Sequence, residues 1–240
     1  MFDLVIVIPT YNEQACIEQV AGSWLKVLAG RRGRLIIIDD GSRDQTGALL
    51  DQLASHEPNL QVIHQKNAGH GAAVLRGYHE ALALAPEFVF QTDSDNQFDP
   101  ADFDKLWNAR EQADFITGVR AERHDPLHRL VINRIMRSIV FALFGVWLLD
   151  PNIPYRLIRG TTLRKLLDAL PASLFAPNIF LTILAARSGS RLLELPVKHL
   201  PRTTGTVSIM RLKLLKVCVR SAGELLTFRQ NIGRSAASSK

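Results

Sequence analysis

The chain has 240 residues, of which 47% are hydrophobic, and its formal net charge is +6 at pH 7. This length and composition allow one domain with a substantial core, which we predict at residues 1–230, followed by a disordered tail at 231–240. Cys16 and Cys218 are too few for a disulfide framework, which argues against a disulfide-stabilised secreted domain and favours a reducing compartment.

The positive charge is concentrated in the second half of the chain. Residues 1–118 carry 9 Lys or Arg and 17 Asp or Glu, whereas residues 119–240 carry 20 and 6. A basic half with apolar helices favours contact with anionic lipid, lipid phosphate or nucleic acid over an ordinary solvated surface. We expect no nucleic-acid partner, because the sequence has neither interleaved aromatics on a strand nor an evident recognition helix.

Strands and helices alternate in the first half of the chain. We predict strands at Leu4–Ile8, Leu35–Ile38, Leu60–His64, Phe88–Thr92 and Phe115–Gly118. Helices are predicted at Glu13–Leu28, Gln45–Ser55 and Gly71–Ala83 and after Pro100. The alternation predicts an α/β fold with a mostly parallel central sheet that is flanked by helices on both faces.

The second half is mainly helical. We predict helices at Leu127–Leu149, Thr161–Leu170 and Asn178–Arg187, a strand at Arg191–Val197, and a basic amphipathic helix at Leu212–Phe228. The apolar run Ser138–Leu149 is about 18 Å long as a helix, short of the roughly 30 Å hydrocarbon core. We expect it to lie in a membrane interface; packing in the protein's own core or in a dimer are the alternatives. The first residues resemble a strand rather than a secretory signal.

Two carboxylates follow the fourth predicted strand, Asp93 and Asp95. Two acidic groups at the end of a buried strand repel each other unless a cation lies near them. Mg²⁺ and Mn²⁺ favour such oxygen ligands and commonly complete their coordination with substrate phosphates. A polar turn explains the pair equally well on its own, so the neighbouring residues have to decide.

Other polar segments are expected at the same edge of the sheet. Ligands of parallel sheets bind beyond the carboxyl ends of the strands, where the sequence places Pro9–Glu13, Asp39–Ser42 and Asp93–Gln97. No G-x-G-x-x-G motif follows the first strand, which weakens a dinucleotide-binding interpretation. Tyr11 is suited to stack on a base, and Glu13 and Asp40 to accept hydrogen bonds from a base or ribose. Helix capping and turn formation are alternative roles for these segments.

The third helix is preceded by Gly69-His70-Gly71. Two glycines before a helix allow either close approach to a phosphate or close packing of the helix on the sheet. We favour packing over ligand contact and assign His70 no catalytic role.

Four motifs resemble, in their order, those of family 2 glycosyltransferases: PTYNE, IIIDDGSRDQT, NAGHGAAVLRG and DSDNQ. The chain is similar to the dolichol-phosphate mannosyltransferase and polyprenyl-phosphate glycosyltransferase branch, strongly over residues 4–120 and more weakly over 120–210. The resemblance implies a GT-A fold with C-terminal interface helices, a GDP- or UDP-sugar donor, and Mg²⁺ or Mn²⁺ as cofactor. Residues 1–118 would bind donor and metal, and residues 119–230 would face the acceptor and the membrane.

The resemblance also implies roles for individual residues. A nucleotide pocket would be lined by Pro9, Tyr11, Glu13, Ile38 and Asp40. Metal, diphosphate and sugar would be held by Asp93, Ser94, Asp95 and Gln97, with Asp95 and Asp93 as the metal ligands. Charge on the leaving diphosphate would be neutralised by the metal on Asp95, by Arg202 and by Arg120, and the acceptor phosphate would meet Arg129 and Asn133. Relatives often carry Gly-x-Ser-Lys where this chain has Gly205-Thr206-Val207-Ser208, so that lysine is absent.

We therefore expect an inverting transfer of one sugar from a nucleotide sugar to a dolichyl or undecaprenyl phosphate. The acceptor phosphate is already anionic, so positioning and stabilisation of the leaving diphosphate suffice without a strong general base. The expected location is cytoplasmic, peripheral on the cytoplasmic face of the membrane, and a homodimer is left open. The alternatives are a family 2 enzyme with a glycan, protein or small-molecule acceptor, and a non-catalytic protein that binds nucleotide sugar or lipid.

Overall fold

The computed structural model describes residues 2–121, 127–171, 174–200 and 223–230, and the side chains of 127–133 are not among the described parts. Several expectations therefore lie outside the described residues. They are the environment of Cys218, most of the predicted helix at 212–228, the tail at 231–240, and the side-chain roles of Arg129, Asn133 and Arg202.

Within the described residues, seven strands form one central sheet. Their bounds are β1 Leu4–Thr10, β2 Gly33–Asp39, β3 Leu60–His64, β4 Phe88–Thr92, β5 Phe115–Arg120, β6 Tyr155–Arg159 and β7 Leu192–Val197. The spatial order is β3-β2-β1-β4-β6-β5-β7. Both pairings of β6 are antiparallel, and the other neighbouring strands are parallel. The predicted mostly parallel sheet is confirmed, and β6 is an addition to the predicted strands.

Helices cover both faces of this sheet. Their bounds are α1 Ile17–Leu28, α2 Thr46–Ala54, α3 His70–Ala83, α4 Phe103–Asn108, α5 Leu127–Phe144, α6 Gly160–Asp168 and α7 Pro177–Arg187. A 3₁₀ turn at Pro100–Asp102 precedes α4, and residues 223–230 are helical. Helix α5 is shorter than predicted, because Gly145 takes a positive φ of 70°. That left-handed conformation commonly ends a helix.

The central strands β1, β2 and β4 are mostly apolar because helices bury both of their faces. One cluster packs α1 and α4 on the sheet around Trp24, Phe90 and Phe103. On the opposite face, α3, α6 and α7 pack around Val7, Tyr78 and other buried residues. Each large apolar side chain buried in this way contributes about 1.5–3 kcal/mol, so the two clusters fix the strand ends in space.

A separate hydrophobic cluster joins α5, α7 and residues 223–230. Val140 and Phe144 of α5 pack there with Phe180 of α7 and with Leu225 and Phe228. One face of the apolar run that was expected in a membrane interface is therefore buried in the protein's own core. None of the described helices combines the length and the apolar character that are needed to cross a bilayer.

His64 joins the end of β3 to β2 and α2. Its Nδ1 lies 2.8 Å from an oxygen of the buried Asp39, and its Nε2 lies 2.9 Å from an oxygen of Asp51. Asp39 also accepts a hydrogen bond from the backbone N–H of Ser42, in the loop after β2. The hydrogen bonds to Asp51 and then to Asp39 raise the pKa of His64 above its ordinary value. His64 thus links Asp39, and through it the loop after β2, to β3 and α2.

We expect this raised pKa to make stability depend on pH. Protonation is favoured in the folded state, so the stabilisation is complete below the ordinary histidine pKa, near 6.5, and is lost as the pH rises through the raised value. His64→Gln should flatten the dependence of the urea midpoint on pH in this window. His56→Gln, at an exposed histidine that follows α2, serves as the control. Equal pH profiles for wild type and His64→Gln would refute the assignment.

Candidate active site

A cleft of about 500 Å³ opens where the loops after β1, β2 and β4 meet. These strands are neighbours in the sheet, so their carboxyl ends converge, as in other parallel α/β sheets that bind ligands. The cleft is lined by Pro9, Thr10, Tyr11, Glu13, Asp40, Asn67, Gly69, His70, Ala73, Asp93, Ser94 and Asp95. The sheet edge predicted from the sequence is therefore the edge at which the cleft lies.

The loop after β1 presents an aromatic side chain to the cleft. Tyr11 is 41% exposed although it follows a fully buried strand. The next residue, Asn12, has a positive φ of 54°, which is uncommon outside glycine. Its N–H donates to Ser42 Oγ at 3.0 Å, and the N–H of Glu13 donates to Thr46 Oγ1 at 2.9 Å. These bonds tie the loops after β1 and β2 together and hold Tyr11 at the cleft.

Asp40 is almost fully buried and organises a second loop. Its Oδ1 accepts from Gln65 Nε2 and from the N–H of Ala68, and its Oδ2 accepts from the N–H of Gly69, each at 2.8 Å. A carboxylate offers about four acceptor sites, so most of its capacity is used within the protein. Asp40 thus positions the start of α3 beside the cleft; its contact with a base or ribose stays a prediction.

The two carboxylates after β4 lie on the floor of the cleft. Asp93 Oδ1 lies 3.3 Å from Gln91 Nε2 and 3.7 Å from His70 Nε2. Burial, and to a smaller extent the charge of Asp95, raise the pKa of Asp93 to about 6, against the opposing influence of His70 and two arginines. Asp95 Oδ1 accepts a hydrogen bond from the N–H of Gln97 at 3.2 Å. Burial is thus the main reason that the charged form of the Asp93 carboxylate is disfavoured.

This donor set fits a hard divalent cation. The carboxylates of Asp93 and Asp95 supply oxygen ligands, and a cation bound to them in the cleft would favour their charged forms. Among the described residues, no group of three or more His, Cys, Asp or Glu side chains could hold a metal ion. An ion at Asp93 and Asp95 would therefore depend on oxygens of its ligand to complete the coordination, as Mg²⁺ commonly does with phosphates.

Three residues expected at the site do not line the cleft. Ile38 is fully buried in the core between β2 and α3. The Gln97 side chain donates to the carbonyl oxygen of Leu200 at 3.1 Å. Arg120 Nη1 lies 2.7 Å from the buried Asp150 Oδ2, so its charge is compensated inside the protein. Their roles at the donor remain predictions that the cleft lining does not support directly.

The chain after β7 runs against the loop that carries Asp95. Leu200 N–H donates to the carbonyl of Gln97 at 2.8 Å, in addition to the side-chain bond from Gln97. Phe98 and His199 form an isolated antiparallel bridge. The segment that leads towards Arg202 is thus fastened beside the two carboxylates.

The loop before α3 contributes more to the cleft than the sequence suggested. Asn67, Gly69 and His70 line it together with Ala73. Gly71 allows close packing of α3, because an added Cβ would lie 2.3 Å from the carbonyl oxygen of Leu174, but this is not the predicted packing on the sheet. That contact is with a loop rather than with the sheet. The sequence did contain a signal for Gly69 and His70. Both follow the end of β3, which lies beside β2 in the sheet, so they could have been expected near the other loops at this edge.

The sheet order and the acidic loop after β4 define a GT-A fold. The structure of glucosyl-3-phosphoglycerate synthase from Mycobacterium tuberculosis in complex with UDP is similar, with a TM-score of 0.71 and 20% identity over 95% of this chain and 80% of that chain. A complex of the same synthase with Mn²⁺, UDP and glucosyl-3-phosphoglycerate gives a TM-score of 0.68 and 21% identity over the same shares. These similarities establish the fold.

The sequence profile of the family described as Glycosyl transferase family 2 matches residues 5–171. The protein belongs to this family and is a glycosyltransferase, which confirms the resemblance seen in the motifs. Polyprenol monophosphomannose synthase of Mycolicibacterium smegmatis is 31% identical over 84% of this chain and 78% of its own length. Undecaprenyl-phosphate mannosyltransferase of Micrococcus luteus is 27% identical, over 84% and 85%. An undecaprenyl-phosphate 4-deoxy-4-formamido-L-arabinose transferase of Edwardsiella ictaluri is 25% identical, over 88% of this chain and 64% of that protein.

Proposed function

We propose that the protein transfers one sugar, with inversion, from a nucleotide-sugar donor to a polyprenyl phosphate, and that Mg²⁺ or Mn²⁺ assists. The observation that carries this proposal is the cleft that sets Tyr11 and the carboxylates of Asp93 and Asp95 along one edge of the sheet. The names of the similar proteins from Mycolicibacterium and Micrococcus support a polyprenyl phosphate as acceptor.

In this proposal, different lining residues bind different parts of the nucleotide-sugar donor. The exposed ring of Tyr11 stacks on the base, a contact that contributes about 1–3 kcal/mol per base in proteins that bind single-stranded nucleic acids. Asp93 and Asp95 hold the divalent ion, which when bound supplies positive charge to the diphosphate leaving group. Because the acceptor phosphate is anionic at neutral pH, the protein has to orient the two substrates and does not need to remove a proton.

The composition of the two halves of the chain supports separate roles for them. The cleft-lining residues, among those that the structure describes, fall within 1–118, the part assigned to donor and metal. Residues 119–230 carry the excess of Lys and Arg, which suits an anionic lipid acceptor. We place Arg129, Asn133 and Arg202 at the acceptor and donor phosphates because of their positions in the family pattern. A peripheral location on the cytoplasmic face belongs to the same proposal.

A patch near the end of α5 suits a membrane surface. Phe141 and Trp147 are 51% and 59% exposed and meet edge to face at 5.6 Å. The Arg137 guanidinium lies 5.0 Å from the centroid of the Trp147 ring, and Arg134 is exposed on the same helix. Aromatic rings next to basic groups favour the headgroup region of anionic bilayers. We assign peripheral membrane contact to this Trp147 patch.

Replacing both Phe141 and Trp147 with serine is expected to reduce flotation with anionic liposomes at least tenfold. The two rings lose contact with the bilayer, and burial of even part of an aromatic side chain contributes more than the roughly 1.4 kcal/mol that a tenfold change requires. Tyr11→Ser removes an exposed ring from the cleft instead and should leave flotation unchanged. Flotation of the double variant at the wild-type level would refute the membrane assignment.

The proposed reaction is tested with purified protein, Mn²⁺, labelled GDP-mannose or UDP-glucose, and polyprenyl phosphate. Transfer to the lipid moves the label into the organic phase. Label that moves only to water-soluble acceptors would instead favour the family 2 alternative with a glycan or small-molecule acceptor. Donor binding without transfer to any acceptor would favour the non-catalytic alternative.

A further inference from the structure

A polar side chain lies under the acidic loop, inside the sheet. Gln91 of β4 is fully buried and points to the same face of the strand as Asp93, two residues further on. Its Nε2 donates to Asp93 Oδ1 at 3.3 Å, and its Oε1 accepts from Asn178 Nδ2 at 3.3 Å. A buried amide is costly unless it is hydrogen-bonded. Both ends of this amide are used, and one of them is bound to a site carboxylate.

Asn178 is in turn held in the core by α7 and β6. Its backbone carbonyl oxygen accepts from Arg156 Nη1 at 2.9 Å and from Thr182 Oγ1 at 2.8 Å. Arg156 lies directly opposite Gln91 in the pairing of β4 with β6 and is fully buried. Helix α7 is also fixed by Phe180 in the cluster shared with α5. The amide of Gln91 therefore has an anchor on a rigid part of the protein.

The two oxygens of the Asp93 carboxylate have different surroundings. Gln91 Nε2 and His70 Nε2 both approach Oδ1. Within the residues that the structure describes, no hydrogen bond is made to Oδ2. A donor on one oxygen selects one orientation of a carboxylate and leaves the other oxygen for a ligand. Bonds of this kind around metal-binding carboxylates commonly change metal affinity by about 10–100-fold.

We propose that Gln91, anchored by Asn178, is a positioning residue for Asp93, and that this buried pair presents the carboxylate to the divalent ion. The inference rests on the metal site of the proposed function. Gln91 does not touch the nucleotide sugar, because it is fully buried and is not part of the cleft lining. Its effect is expected in the contribution of the metal to donor binding and not in contacts with the base.

The test compares nucleotide binding with and without Mn²⁺. GDP and UDP are each titrated by calorimetry into wild type, Gln91→Met, Asn178→Ser and Thr92→Val. Methionine keeps the length of Gln91 but cannot donate to Asp93, and serine removes the anchor of the amide. Thr92 is the matched control, because it is the adjacent residue of β4, is fully buried, and has a hydroxyl with no hydrogen-bond partner in the described part of the chain.

We expect Gln91→Met to weaken Mn²⁺-dependent binding about 10-fold or more, with metal-free binding unchanged, and Asn178→Ser to act in the same direction. Thr92→Val should bind like wild type. A purely structural role would lower the thermal midpoint and leave the Mn²⁺ dependence intact. Wild-type Mn²⁺ dependence in both amide variants would overturn this inference and leave the proposed function standing. If wild type itself gains nothing from Mn²⁺, the metal site and this inference both fail.

Discussion

Asp95→Ala is expected to lower the rate of sugar transfer by a factor of about 10²–10³ or more and to leave the fold intact. The carboxylate lies in the cleft and, among the residues that the structure describes, accepts one hydrogen bond, from the N–H of Gln97, so its loss costs little stability. In the proposed reaction it holds the ion that stabilises the leaving diphosphate. Removal of one electrostatic contact to a developing charge commonly lowers rates by about this factor.

The measurement is the initial rate of label transfer to polyprenyl phosphate, with circular dichroism to verify the fold. Asp104→Ala is the matched control, because Asp104 is an exposed carboxylate of α4 that pairs with Arg31 at the surface. It should transfer at the wild-type rate. Turnover of Asp95→Ala within a few-fold of wild type would contradict the metal assignment.

The largest effect on stability is expected for Arg156→Ala, about 3–5 kcal/mol in the free energy of unfolding. The guanidinium is fully buried and donates to the carbonyl oxygens of Pro151, Ile153 and Asn178. Alanine would remove these hydrogen bonds and open a cavity in the core, and each buried group that is left unsatisfied costs about 1–3 kcal/mol. The cavity and the lost hydrogen bonds together give a loss on the order of 3–5 kcal/mol.

Urea unfolding followed by circular dichroism measures this loss. Arg159→Ala is the control on the same strand. Arg159 is partly exposed and pairs with Glu87 and Glu111 at the surface, and such pairs contribute about 1 kcal/mol or less. Similar small losses for both variants would show that the buried network does not stabilise the fold as described.

Most of the strands were predictable because they contain an apolar run between polar segments. β3 and β4 begin and end at the predicted residues. β6 could not be found in this way, since the five residues of Tyr155–Arg159 include two arginines. The burial of Arg156 depends on carbonyl groups that other elements bring to it, and a local pattern does not contain that information.

The site was predictable as far as it depends on topology. Parallel strands bring their carboxyl ends together, so the segments after β1, β2 and β4 were correctly expected at one place. The inclusion of Gly69 and His70 depends on the hydrogen bonds of Asp40 to the loop before α3. The pairing of Arg120 with Asp150 joins residues 30 positions apart. Such long-range contacts decide which polar side chains reach the cleft.

The most direct test of the account is the position of a bound manganese ion. A crystal of the protein soaked with Mn²⁺ and GDP or UDP would be measured at the manganese absorption edge. We expect an anomalous peak within coordinating distance of Asp95 and Asp93 and of the diphosphate, with the base at Tyr11. A peak away from these carboxylates, or a nucleotide bound outside the cleft, would contradict it.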